Sequence, residues 1–166
     1  MKKLLLILIC LLTTYTSPAQ TYEQHFEFMG IPIDGSPQEF GNSLEQKGFK
    51  YIGDNDKNQP MYTGFFAGYK CTLGVSYHNN SVYMVVVIPD IDKSLSTLLY
   101  KNLKDNLAVK YGQPRNSVEH ENGGAITIFS QQLGDILLTK LQGQVGLSYR
   151  DFANLKKFQS AAVNDL

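Results

Sequence analysis

The chain is 166 residues long and carries 15 basic against 15 acidic side chains. That balance offers no basic surplus of the kind nucleic-acid binding selects, so no nucleic-acid partner is expected. The length suits one domain with a sizeable core.

Residues 1–20 read MKKLLLILICLLTTYTSPAQ. Lys2 and Lys3 form a positive start, Leu4 to Leu12 an apolar stretch, and Ser17-Pro18-Ala19 a small-residue cleavage site. This is the pattern of a secretory signal peptide over residues 1–19, and its apolar stretch falls short of the ~20 residues that span a bilayer. A lipid anchor on Cys10 is the rival reading. Against it, Ile9 stands where a small residue belongs, and Cys10 lies inside the apolar stretch rather than behind it. The expectation is cleavage after Ala19 and export to the periplasm or beyond, with no membrane span in residues 20–166. Cleavage removes Lys2 and Lys3 and no acid, so the mature chain is slightly acidic. It also leaves Cys71 alone, and no internal disulfide can form.

Phe26 and Phe28 alternate with polar neighbours as a short strand does. Pro32, Asp34 and Gly35 form the turn after it. Ser36-Pro37-Gln38-Glu39 is a capping box, with Ser at the N-cap, Pro at the first helical position and Glu at the third. Phe40 and Leu44 follow at helical spacing, and Gly48 is placed to end the helix in a left-handed cap. The Gly- and Pro-rich run 30–40 therefore reads as a helix entry, not a ligand loop. Strands are expected at Tyr51, Met61–Ala67, Tyr69–Tyr77 and Val82–Ile88, with tight turns at Gly68 and Asn79-Asn80. Cys71 shares an apolar phase with Tyr69, Leu73, Val75 and Tyr77, which points it into the core as a small hydrophobe. A reactive thiol would need an exposed, electropositive setting.

Residues 88–94 read IPDIDKS, a second Ile-Pro and Asp ahead of a helix. Asp92 or Ser94 caps it; Leu95, Leu98, Leu99, Leu103, Leu107 and Tyr111 form its apolar stripe, and Gly112 and Pro114 stop it. Strands follow at Ser117–Glu121, Ala125–Ser130, Asp135–Leu141 and Gln144–Tyr149, with Asn122-Gly123-Gly124 at a hairpin tip. Asp151 caps a last helix, residues 151–163, with Phe152, Leu155 and Ala162 on one side. Antiparallel strands with helices laid on one face make an α+β fold. A shift of 63 residues overlays Phe40 and Leu44 on Leu103 and Leu107, and Leu73 and Val75 on Ile136 and Leu138. The apolar phase, not residue identity, thus reads as a tandem repeat of helix plus strands over residues 26–88 and 89–150.

The F-x-F-x-G-I-P-I-D-G-S start (Phe26, Phe28, Gly30 to Ser36), the K-G-F helix end (Lys47 to Phe49) and the K-Y-G-x-P turn (Lys110 to Pro114) resemble uncharacterised exported proteins of Gram-negative bacteria. The tandem helix-plus-sheet plan is similar to the β-lactamase inhibitor protein fold. The resemblance implies a small exported module that binds other proteins, and it carries over no binding residue.

Chemical motifs are weak. Asp54, Asp56 and Asn58 begin like a calcium loop, but Gln59 replaces the turn Gly and Phe65 the bidentate Glu. His25, His78 and His120 are scattered without metal-ligand spacing. Glu119 and Glu121 would share one side of a strand with His120 on the other, the least poor candidates for catalysis. No G-x-S-x-G, S-x-x-K, P-loop or dinucleotide fingerprint is present. No metal, cofactor or catalytic residue is therefore expected. The candidate binding residues are Tyr83, Val85 and Val87, with Phe66. If Val82, Met84 and Val86 face the helices, Tyr83, Val85 and Val87 face outward, where the 63-residue shift puts only Gly146, Ser148 and Arg150. A large apolar outer face in one half alone suggests a partner surface. The functional expectation is an exported, non-catalytic protein-binding or inhibitor-like module; an enzyme of undetermined chemistry and a self-associating envelope component are the alternatives.

Overall fold

The computed structural model describes residues 23–164, so the expected signal peptide lies outside the described residues. The alternating segments become β3 (Lys50–Asp54), β4 (Pro60–Phe66), β5 (Tyr69–His78) and β6 (Ser81–Pro89), then β7 (Asn116–Glu119), β8 (Ala125–Ser130), β9 (Gly134–Leu141) and β10 (Gln144–Asp151). All pair antiparallel in one eight-stranded sheet, ordered β3-β4-β5-β6-β10-β9-β8-β7. Ala67-Gly68, Asn79-Asn80 and Gln142-Gly143 each hold two consecutive residues at positive φ, the geometry that two-residue hairpins require. Every sheet pairing but one therefore joins sequence neighbours. The exception is the central seam, where Val87 opposes Leu147 and Val85 opposes Tyr149.

Among the described residues three helices complete the α+β fold: α1 (Pro37–Gln46), α2 (Ser96–Tyr111) and α3 (Phe152–Asn164). Register shows which side α1 and α2 cover. One row runs Tyr51, Tyr62, Leu73, Val87, Leu147, Leu138, Thr127, Ser117 across all eight strands. From Tyr62 to Thr127 this row is buried, in one core with Phe40 and Leu44 of α1 and Leu99, Leu103 and Leu107 of α2. Buried Thr127 is satisfied by the Tyr100 hydroxyl at 2.6 Å and the Ser117 hydroxyl at 2.9 Å.

The helix starts follow the sequence closely. Ser36 Oγ accepts from the Glu39 amide at 3.2 Å, while the Glu39 carboxylate accepts from the Ser36 amide at 2.9 Å. At the far end the Phe49 amide donates to the Leu44 carbonyl at 3.1 Å, and Gly48 sits at φ 90°, closing a Schellman-type cap. Asp92 accepts from the Ser94 amide and caps a 3-10 turn, Lys93–Leu95, that leads into α2. The stripe of α2 is narrower than expected: Leu99, Tyr100, Leu103 and Leu107 are buried, while Leu95 and Leu98 fall ahead of it and are exposed. Asp151 caps α3 by accepting from the Asn154 amide at 2.8 Å. Phe152, expected on its inner side, is exposed.

Before α1 the chain does more than turn. β1 (Glu27–Phe28) and β2 (Ile31–Pro32) form a small hairpin through Met29-Gly30, both at positive φ. Met29 gives no turn signal, which is why the hairpin is hard to see in the sequence. It sets Phe26, Phe28, Ile31 and Ile33 into the core. The Phe28 ring lies edge-on to Tyr149 at 5.1 Å and stacks on Phe66 at 5.7 Å.

Each half of the chain thus supplies one helix followed by four strands. Phe40, Leu44, Leu73 and Val75 are buried, as are Leu103, Leu107, Ile136 and Leu138. The 63-residue correspondence stops beyond Val82, for the reason given below.

Gly64 of β4 lies against the Phe49 ring, where an added Cβ would meet Cδ1 at 2.5 Å. Since the buried ring cannot retreat, Gly64→Ala should cost about 1–3 kcal/mol in urea unfolding. Ser36→Ala should cost about 1 kcal/mol through the lost cap.

Candidate functional site: the open face of the sheet

The expected binding residues do not lie on an open surface. In the pairing of β5 with β6, Ser76 opposes Met84 but Tyr77 opposes Val82. Tyr83 is the extra residue of a β-bulge, which shifts the in–out alternation by one. Val82, Val85 and Val87 therefore all point into the core and are fully buried. Tyr83 stacks on Phe158 of α3 with ring centres 4.8 Å apart, and half-buried Phe66 packs on Phe28 and Tyr149. The outward assignment of Tyr83, Val85, Val87 and Phe66 is thus corrected: three are core or packed on it, and the fourth is covered by the last helix.

The same bulge turns Met84, Val86 and Ile88 to the other side of the sheet. Their row-mates define an opposite face. One row runs Met61, Gly74, Val86, Ser148, Leu137, Ile128, Asn116. Beside it lie Ser76, Met84, Arg150, Asp135 and Ser130, a row closed by a bidentate pair: Arg150 Nε and Nη2 donate to Asp135 at 2.7 and 2.6 Å. On the other flank Thr63, Thr72 and Ile88 pair across β4–β6, and Gly146, Thr139, Ile126 and Val118 across β10–β7.

This face is polar at one end and apolar at the other. Phe65 is 69% exposed, Leu141 62%, Ile88 42%, Val118 41% and Ile126 39%. All belong to the end away from the Arg150–Asp135 pair. Gly74 and Gly146 bring bare backbone into the middle of the sheet, and a cleft of about 360 Å³ opens beside Ile88, lined by Thr72, Asp90, Lys93 and Gln144. Lys70, directly opposite Phe65, and Lys50, opposite Thr63, are exposed and, among the described residues, not ion-paired. The sequence signal for the face was present in the apolar residues of the second phase, Met84, Val86, Ile126 and Leu137. Only the bulge reveals which phase is which.

A second cluster joins the termini of the fold. The His25 ring, 7% exposed, lies between two carboxylates: Nε2 is 3.3 Å from Asp34 Oδ2 and Nδ1 is 3.2 Å from Asp151 Oδ1. Fully buried Asp151 also accepts from the Phe26 amide at 2.7 Å. The Asn154 amide group reaches Asp34 Oδ1 and the Val82 carbonyl, each at 2.9 Å, and the Ile33 carbonyl at 3.2 Å. Partial burial alone would raise the Asp34 carboxyl; the Asn154 and Gly35 hydrogen bonds, with His25 and Lys157 nearby, bring it below the usual range. A lowered carboxyl stabilises the fold above its unfolded pKa, and that contribution is lost as pH falls through the folded value.

The remaining candidates stay apart. Loop 55–59 is organised by the Asn55 side chain, which accepts from the Lys57 and Gln59 amides at 2.9 and 3.0 Å. Among the described residues no three His, Cys, Asp or Glu side chains converge as metal ligands. β7 ends at Glu119, so His120 and Glu121 stand in an exposed turn and the two carboxylates do not share a strand face. Among the described residues no helix is long and apolar enough to cross a membrane. No family model matches the chain, and no curated protein or solved structure matches it either.

Cys71 of β5 is buried in the core, and burial pushes its thiol up to about 11. At pH 8 a thiol reagent should modify the native protein at least about tenfold more slowly than the urea-unfolded chain, read by mass spectrometry.

Proposed function

We propose that the protein is an exported, non-catalytic binding module that takes a protein partner on the open face of its sheet. The observation that supports this reading is the asymmetry between the two faces. One is sealed by helices; the other leaves Phe65, Ile88, Ile126, Val118 and Leu141 exposed at one end of a continuous eight-stranded surface. Apolar side chains gathered in this way mark partner surfaces on soluble proteins. Lys50 and Lys70 stand at the β3–β5 flank of the same face. The fitting partner therefore presents apolar side chains with carboxylates beside them, the charges steering encounter and the apolar contact holding the complex. A helix followed by four strands occurs twice among the described residues, and that order supports the tandem plan read from the sequence. The signal-peptide pattern of residues 1–19 is what supports the export part of this reading.

The test compares two variants of the exported protein. Phe65→Ser/Ile88→Ser/Leu141→Ser should keep the wild-type far-UV circular dichroism and lose a partner that the wild type retains from periplasmic extract. Leu98→Ser, an exposed change on α2, should retain it. By contrast, Val85→Ser/Val87→Ser should unfold the protein, because each removes roughly 1.5–3 kcal/mol of buried apolar contact and strands a hydroxyl in the core. Equal retention of partner by the open-face variant and the wild type would sink the reading. Concentration-dependent dimerisation abolished by the same triple change would replace it with self-association.

A further inference from the structure

We propose that the cleft between α1 and the β3–β4 pair is a binding site for a primary alkylammonium group. The cleft measures about 370 Å³, within the ~300–1,000 Å³ range of small-ligand pockets. Glu45 of α1 and Asp54 of β3 line it together with Tyr51 and Tyr62, and no lysine or arginine does. Neither carboxylate is ion-paired among the described residues. Tyr51 and Tyr62 begin the sheet row that lies on the helix side, so the cleft opens away from the apolar surface assigned above to a protein partner. The two sites are separable.

Two exposed carboxylates alone would be an ordinary solvated surface; the Tyr62 hydroxyl makes the difference. Tyr62 is only 5% exposed. Tyr51 donates to Asp54 Oδ1 at 2.8 Å, whereas the Tyr62 hydroxyl has no hydrogen-bond partner among the described residues. Helix α1 makes room for that hydroxyl at Gly41, where an added Cβ would overlap the phenolic oxygen. A glycine inside a helix destabilises it relative to alanine. A phenylalanine at position 62 would fill the same space without an unpaired oxygen, and a buried hydroxyl without a partner is costly. The fold thus carries a polar atom that its own groups do not use, in the wall of a cleft holding two negative charges.

The chemistry of these groups selects the ligand. Ionised Glu45 and Asp54 accept hydrogen bonds and donate none, and the Tyr62 oxygen has lone pairs to spare. A primary ammonium brings three N–H donors and one positive charge, which matches two carboxylates and a phenol oxygen. The Tyr51 and Tyr62 rings meet edge to face with centres 5.6 Å apart, and aromatic faces attract a cation while covering the methylenes that carry it. Burial, then Glu45, Tyr51 and Asp54, raise the Tyr62 phenol, so it stays protonated beside two negative charges. A metal ion fits less well. Among the described residues no third His, Cys, Asp or Glu joins the pair, and calcium takes about 6–8 oxygen ligands.

An NMR titration of the 15N-labelled exported protein reads the site residue by residue. At constant ionic strength 1,4-diaminobutane should shift the amides of Gly41, Glu45, Asp54 and Tyr62, with half-saturation below about 10 mM. The neutral 1,4-butanediol should shift none of them. Tyr62→Phe should keep the wild-type urea midpoint and weaken the diamine at least about tenfold, and Glu45→Gln should weaken it similarly. Nα-acetyl-lysine amide carries the same ammonium on a side chain. Tighter binding than the diamine assigns the site to a lysine of a protein, weaker binding to a free amine, and either result sustains the site. Half-saturation above about 10 mM, equal shifts from the diol, or wild-type affinity in Tyr62→Phe or Glu45→Gln would overturn the proposal. A lowered urea midpoint in Tyr62→Phe overturns it too, because the hydroxyl then serves the fold. Calcium bound more tightly than the diamine replaces the site with a metal site.

Discussion

The antiparallel pairing of β6 with β10 is the constraint on which the rest of the structure depends. Each flanking meander closes through short turns between neighbours, and each could form its ladder without the other. Only the seam, Met84–Val87 against Leu147–Arg150, makes them one sheet. It brings Val87 against Leu147 and Val85 against Tyr149, so the buried rows of the two halves become a single apolar surface under α1 and α2. The same registry lines Val86 up with Ser148 and Met84 with Arg150 on the far side, which makes the open face continuous. A one-residue slip here would exchange the two faces in one half alone and expose the core.

The polar end of the seam strand is as consequential as its apolar middle. Asp151 closes β10, caps α3 and receives the N-terminal hairpin, three tasks on one fully buried carboxylate. Asn154, one turn into α3, ties the β2–α1 connection and the start of β6 to the same point. A carboxylate buried so deeply is tolerable because each oxygen receives a backbone amide and a ring nitrogen stands beside it. The start of α3 and the connection into α1 are thus registered by hydrogen bonds at this corner, whereas α2 is held by its packing and by the Tyr100–Thr127 and Lys104–Ser117 hydrogen bonds.

Much of the fold was legible because local signals and tertiary structure agree. Ser36, Pro37 and Glu39 announce α1; Asn79-Asn80 announces a hairpin; Asp151 announces α3; and the strand segments match to within a few residues. What was hidden has specific physical causes. Tyr83 occupies a bulge, and a bulge inverts every facing downstream without altering the period that a sequence displays. Met29 adopts a left-handed turn that residue preferences disfavour, so the β1–β2 hairpin gives no warning. The proximity of His25, Asp34 and Asp151 depends on contacts spanning most of the chain, for which local spacing carries no information. Val85 and Val87 therefore face opposite to the alternation expected from Val82.

The sheet is not a barrel, and its two outer strands bear on how copies of the molecule meet. β7 is four residues long and exposed throughout, too brief to template a long ladder. β3 has a register break between Tyr51 and Gly53, which skews its free backbone groups out of line. Short or irregular edges resist strand-to-strand recruitment of other chains. With both flanks blunted, fibrillar growth along the hydrogen-bonding direction is disfavoured at either end. A crowded solution of this protein can tolerate an apolar sheet surface without that surface seeding an endless stack.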